Sequence, residues 1–355
     1  MRNIKVALPN KEEKELLKLT RWEIMNIENE ETFDLYERVF RREYSLPEAG
    51  EDQTTTSLRE EFKEKVMGSS IGKKGFYKTQ KYLMQIADEG RVESKDRTQA
   101  DEEEEEDEED MIPQILIAAS QHYSFPKSTS ILGFGEEAVK KIEVDQDSRM
   151  NIKALRKHLQ YCLDAHVPVL TVVSIMGSTE ESAVDPLGQI LQLREQFKQR
   201  GMYFHVHVDG AYGAYFTSMI RSKKAEHWNS LSEYTTEQLG LISEADSITF
   251  DPHKTGYVPF GCGGIIYQDS RLKDQLNFHA PVIYDGTAPN MSIYGVEGSK
   301  PGNVVVGLYL SLSVMPLERS GHGELLERTL MNTKIFCASL YELEKKVFAY
   351  PYVDG

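Results

Sequence analysis

From Met111 onward, short apolar runs alternate with amphipathic ones. The segments "ILIAAS", "VPVLTVVSIM", "YFHVHVD", "SITF" and "GIIYQD" are continuous apolar runs or alternate residue by residue, as strands do. The segments "NIKALRKHLQYCLDAH" and "DPLGQILQLREQFKQRG" repeat apolar residues at helical spacing, the second with Gly201 as its C-cap. Strand–helix–strand alternation predicts βαβ units and an α/β fold with a largely parallel sheet. In such sheets ligands bind beyond the carboxyl ends of the strands. Residues 1–100 read instead as helix and linker. Phe33, Tyr36, Phe40 and Tyr44 lie at helical spacing in "ETFDLYERVFRREY", and a second helix, "SLREEFKEKVM", follows. Neither carries a catalytic constellation, so packing is the predicted role. The tail from about Arg319, "GELLERTLMNTKIFCASLYELEKKV", again reads as helix.

The length of 355 residues allows about two domains. One run, "DEEEEEDEED" (Asp101 to Asp110), supplies ten acidic residues against a formal net charge of −16. It reads as a disordered, solvated acidic insertion. The remaining balance is ordinary, and without a basic patch no nucleic-acid partner is expected. Cys162, Cys262 and Cys337 show neither metal-ligand spacing nor a disulfide framework, which fits a reduced, cytoplasmic setting. The N-terminus is too polar for a signal peptide, and "VPVLTVVSIMG" is too short to span a bilayer, so no membrane association is expected.

The candidate chemistry sits at two strand ends. In "DSITFDPHKTGYVPFGCGG", Pro252 stops sheet pairing, and His253 and Lys254 follow in a loop. In "YFHVHVDGAYGAY", Tyr203, His205, His207 and Asp209 share one face of a strand that ends at Asp209. Gly210, Ala211 and Gly213 then allow a flat ligand close to the backbone. One reading is a metal site of His205 and His207, with His122 and His253 as further ligands. The other leaves His205 and His207 structural, expects no metal, and pairs Asp209 with Lys254. A strand-end lysine with a strand-end aspartate suits pyridoxal phosphate: the amine forms a Schiff base and the carboxylate pairs with the ring nitrogen. Unit charges about 4 Å apart at an effective dielectric near 20 attract by about 4 kcal/mol, which favours a protonated ring.

These residues resemble the group II pyridoxal-phosphate-dependent amino-acid decarboxylases, with the tyrosine decarboxylase branch of microbes most similar. The resemblance runs in order through "HYSFPKS", "GSTEESAVDPLGQI", "HVDGAYGAY", "DSITFDPHKTGYVPFGCGGIIYQD" and "YGVEGSKPGN". It implies a fold-type-I large domain, with a mostly parallel, seven-stranded type of sheet flanked by helices. On that basis residues 1–100 are the helical region of the large domain, 101–110 the acidic insertion, 111–318 the pyridoxal-phosphate core, and 319–355 the start of a truncated small domain.

The resemblance also implies roles. Lys254 is the Schiff-base lysine and Asp209 the partner of the ring nitrogen. Ala211 packs under the ring, and His122 stacks on its other face. Thr179 lies near Asp209 and the substrate carboxylate. Asp251 and His253 flank the lysine near the phosphate. Ser299 reaches the phosphate of a neighbouring subunit, which implies a homodimer. The implied reaction is decarboxylation of an L-amino acid, tyrosine to tyramine first and glutamate as an alternative. Two departures from the family pattern support a catalytically silent fragment as the competing expectation. Its Gly/Ser/Thr-rich phosphate loop and N-terminal dimerisation segment are missing ahead of "RNIK". Phe260 stands where relatives often carry a tyrosine able to return a proton, a task left to Tyr257 or His253.

Overall fold

Among the described residues, six strands form a mixed main sheet whose strand ends carry the candidate residues. The computed structural model describes residues 5–35, 112–221, 230–272 and 300–347. The helical readings beyond residue 35, the acidic run 101–110 and Ser299 lie outside the described residues.

The chain opens with β1 (Lys5–Ala7) and β2 (Glu13–Glu15), an antiparallel pair, where helix and linker were expected. The reason is local. Val6 alone faces inward from β1, and it packs with Leu8 and Leu19 into a small cluster of its own. A five-residue helix, α1 (Arg21–Met25), follows, closed by a capping box between Thr20 and Glu23. This N-terminal part docks on the main sheet through polar contacts. Asn26 Oδ1 accepts from the Tyr203 N–H at 2.8 Å, and Asn29 Nδ2 donates to Asp246 Oδ1 at 3.2 Å.

The sheet comprises β3 (Gln114–Ala118), β4 (Val139–Ile142), β5 (Val169–Ile175), β6 (His205–Gly210), β7 (Ser247–Phe250) and β8 (Gly264–Tyr267), in the spatial order β4-β3-β5-β6-β7-β8. Strands β3 to β7 run parallel, and β8 returns antiparallel beside β7. Among the described residues the sheet thus has six strands, against the seven implied by the resemblance. Central strand β5 buries Val172, Val173 and Ser174 completely, as a strand covered on both faces should.

Two helices show how sequence pattern becomes cover for the sheet. In α3 (Ile152–Asp164), preceded by α2 (Ser124–Ile131), Leu155, Leu159 and Cys162 recur on the buried face. Asn151 Oδ1 caps its start, accepting from Lys153 and Ala154 N–H at 3.0 and 3.2 Å. Helix α4 (Leu187–Lys198) buries Leu187, Ile190, Leu193 and Phe197. It ends as expected at Gly201, whose φ of +86° suits a residue without Cβ. The Gly201 N–H donates to Lys198 O and the Met202 N–H to Phe197 O, each at 3.0 Å, which closes a Schellman turn.

Further helices include α5 (Glu233–Gly240), α6 (Gly302–Val314) and α7 (Glu324–Val347). Leu326 of α7 joins the main core, and Glu327 binds Arg319 at 3.1 Å. Between α6 and α7, buried His322 spans two segments, with Nδ1 2.8 Å from Met315 O and Nε2 3.3 Å from Gly256 O. The second contact ties this region to the loop after β7. Among the described residues, no helix is long and apolar enough to cross a membrane.

Leaving β3 the chain turns to β4 on one side, and from β5 onward it builds on the other. This reversal is a topological switch point, with a crevice expected at the carboxyl ends of β3 and β5.

Candidate active site

Four of the loops that leave the carboxyl edge of the parallel strands carry candidate residues. The loop after β3 brings Gln121 and His122. His122 Nδ1 lies 2.9 Å from Ser124 Oγ, and its ring sits 4.3 Å from that of Tyr123. Gln121 Oε1 is buried without a hydrogen-bond partner among the described residues.

The loop after β5 folds back on itself. Gly177 and Ser178 N–H groups donate to Ala183 O at 2.9 and 3.0 Å, and the Asp185 N–H donates to Ile175 O at 2.9 Å. Thr179 is exposed at the tip, and no hydrogen bond ties it to Asp209 among the described residues. The buried Asp185 carboxylate anchors this loop, accepting from the Met150 and Ile175 N–H groups at 2.7 Å each. Burial pushes its carboxyl up to about 6 against these two hydrogen bonds.

On β6, Val206 and Val208 point into the core while His205, His207 and Asp209 share the other face, as the alternation requires. The Met176 N–H donates to Asp209 O at 2.8 Å, so the anchored end of β5 fixes the backbone of Asp209. Asp209 Oδ1 accepts from the Ala211 N–H at 3.2 Å, and Oδ2 has no partner among the described residues. The turn that follows presses against β5: a Cβ on Gly213 would come within 1.9 Å of Met176 O.

The loop after β7 is stitched to the loop after β6. The Asp251 N–H donates to Ala211 O at 3.2 Å, and Thr255 Oγ1 donates to Tyr212 O at 2.7 Å. Asp251-Pro252-His253-Lys254 forms a turn in which the Lys254 N–H donates to Asp251 O at 2.9 Å. That turn brings Lys254 Nζ within 2.9 Å of Asp251 Oδ2. His253 Nε2 lies 3.7 Å from the same oxygen, while His253 Nδ1 faces Cys262 O at 2.5 Å. A ring nitrogen facing a carbonyl carries the hydrogen, so the contact assigns the proton to Nδ1. Phe260, 89% exposed, lies edge-on to the His253 ring at 4.8 Å. The Tyr257 hydroxyl lies 3.3 Å from Thr329 Oγ1.

The stitched loops therefore gather Asp209, Ala211, Asp251, His253 and Lys254. His122 and Thr179 arrive at the same edge on separate loops. The histidines of β6 serve the sheet. His207 Nδ1 lies 2.8 Å from Ser247 Oγ and its Nε2 3.0 Å from Thr249 Oγ1, so both nitrogens are engaged within the sheet. Burial lowers the pKa of both His205 and His207, which favours neutral rings. Sequence reasoning missed Gln121 and Asp185. Gln121 adjoins His122 and offered no spacing signal, and the partners of Asp185 are backbone N–H groups 10 and 35 residues away.

Comparison with known proteins identifies the family. Residues 69–342 match the model of the pyridoxal-dependent decarboxylase conserved domain. The L-tyrosine decarboxylase of Enterococcus faecium is 34% identical over 262 residues, covering 66% of this chain and 43% of the relative. That of Levilactobacillus brevis is 33% identical over 232 residues, covering 59% and 37%. An aspartate 1-decarboxylase of Aliivibrio fischeri is 27% identical over 222 residues, covering 62% and 37%. The chain thus spans less than half the length of each of these relatives. A crystal structure of mouse CSAD shares the fold, with a TM-score of 0.51 at 22% identity, covering 66% of this chain and 45% of that one.

Proposed function

Because the chain belongs to the pyridoxal-dependent decarboxylase family, we propose that it holds pyridoxal 5'-phosphate at the stitched loops and decarboxylates an L-amino acid, tyrosine first. The observation that carries this reading is the pair of hydrogen bonds joining the β6 and β7 loops, which brings the Asp209 and Lys254 segments side by side. The residues fit the cofactor. Lys254 is a partly exposed amine paired with Asp251, Asp209 Oδ2 is a half-buried acceptor with no protein partner among the described residues, and Ala211 keeps the floor low. Gln121 Oε1 is a further buried acceptor at the same edge with hydrogen-bonding capacity to spare. When bound, pyridoxal phosphate supplies an aldehyde for an amine and a ring that withdraws electrons from a breaking bond at Cα.

The chain's residues then divide the work. The Lys254 amine would anchor the aldehyde. The Asp209 carboxylate would pair with the ring nitrogen, and partial exclusion of water would strengthen that pairing. His122 would cover the ring, Thr179 would orient the substrate carboxylate, and Asp251 and His253 would lie toward the phosphate; Ser299, outside the described residues, would serve the site of a second copy in a homodimer. The carbon that loses CO2 must regain a proton. The Tyr257 hydroxyl is within reach of Thr329, whereas His253 Nε2 lies 3.7 Å from Asp251 Oδ2. With the ring hydrogen on Nδ1, Nε2 is assigned the delivery as a relay: its lone pair takes up a proton from water and passes it to that carbon.

A second reading, a chain that binds cofactor without turnover, is favoured by Phe260, which lies against His253 and has no proton to give. Incubating the purified chain and cofactor with L-tyrosine, L-aspartate or L-glutamate separates the cases. Release of tyramine in preference to the other amines supports the first reading. Preferential turnover of aspartate or glutamate reassigns the substrate, and saturable cofactor binding with no amine supports the second.

A further inference from the structure

Lys254 is not a free amine at the end of β7. The Asp-Pro-His-Lys turn sets its Nζ 2.9 Å from Asp251 Oδ2, and side-chain exposures of 38% for Lys254 and 16% for Asp251 leave the pair only partly wet. Asp251 is itself held, because its N–H is committed to Ala211 O and its carboxylate faces His253, which Cys262 O clamps through both backbone and ring. An alkylammonium has no lone pair to offer a carbonyl carbon. It must leave the carboxylate and lose a proton before it can react.

Resting on the reading of Lys254 as the cofactor-anchoring amine, we propose that Asp251 is a latch: a positioning residue that holds the Lys254 ammonium in the unloaded chain and slows its condensation with any aldehyde, the cofactor included. The balance is simple. The ammonium first sheds one proton, to His253 Nε2 and then to water. The amine nitrogen forms a double bond to the aldehyde carbon, and the aldehyde oxygen departs as water with the two remaining amine hydrogens. No oxidant or reductant is consumed. Asp251 opposes only the first event, so removing its charge speeds the whole sequence.

The test uses the full chain at neutral pH with formaldehyde as a small probe and cyanoborohydride as the hydride donor that traps each imine as a methylated lysine. Peptide mass spectrometry follows Lys254, with Lys153 on α3 as internal reference. Asp251→Asn is expected to speed labelling of Lys254 about five-fold while Lys153 is unchanged. Asp251→Glu, which keeps the charge, is expected to return the rate toward wild type. Equal or slower labelling in Asp251→Asn overturns the latch. If Asp251→Asn does not fold, raising salt on the wild-type chain replaces it. Screening should speed Lys254 relative to Lys153, and an unchanged ratio overturns the proposal. A parallel arm uses pyridoxal phosphate and borohydride. No label at Lys254 in either chain sinks the decarboxylase reading and leaves the formaldehyde comparison intact, whereas equal formaldehyde rates with good pyridoxyl labelling sink the latch alone.

Discussion

Asp185 sets the pH response expected of the site's scaffold. Its carboxyl moves from 3.8 up to about 6 because burial outweighs the two N–H groups it accepts. A raised folded-state value means the folded chain holds the proton more tightly than the unfolded one. The stabilisation is therefore full below about pH 4 and is lost as pH rises through about 6, a swing of about 3 kcal/mol. Asp185→Asn cannot titrate. Denaturant unfolding should show the stability gap between the two proteins shifting toward the variant by about 3 kcal/mol from pH 4 to neutral pH; a pH-independent gap would refute this. Neutral Asn also places an NH2 against one of the two N–H groups, so the variant should remain the weaker protein in acid by about 1–3 kcal/mol. Lys254 and Asp209 were legible in the sequence because each lies at or just past the end of a strand pattern, with proline or glycine marking the exit. Asp185 was not, because what makes it matter is backbone N–H groups that only the fold brings near.

At the scale of elements, strands read well where their apolar run was unbroken, and "SITF" is strand β7 residue for residue. Strand β4, "VKKI", was missed. It is an edge strand of four residues with two lysines, so little of it needs to be apolar. Helix α6 was missed as well, since "GNVVVGLYLSLSV" is β-branched and carries no polar face to give a helical period. The close approach of the β6 exit to β5 makes a firm prediction. Gly213→Ala places a methyl group into Met176 O, and since both partners are backbone the turn must move. Thermal unfolding should register a loss of about 3 kcal/mol or more, with weaker cofactor binding. Gly201→Ala is expected to cost only about 1 kcal/mol, because its φ of +86° is strained for alanine but its surroundings are open.

Over the whole molecule, the fold class and the edge that bears the site follow from strand–helix alternation, whereas the surface does not. Val305, Val306, Tyr309, Leu310 and Val314 of α6 are all exposed, as are Ile335, Phe336, Leu340 and Tyr341 of α7. A monomer rarely leaves so much apolar surface wet. With the proposed homodimer, light scattering should return twice the chain mass, and Val306→Glu with Leu310→Glu should shift it toward the monomer. If the β6 and β7 exits present Asp209 and Lys254 to one ring, spectral titration with pyridoxal phosphate should show it. A saturable absorption band is expected that Lys254→Ala abolishes and that Asp209→Asn retains at about ten- to a hundred-fold weaker affinity. An unchanged band in Lys254→Ala, or equal affinity in Asp209→Asn, would contradict it.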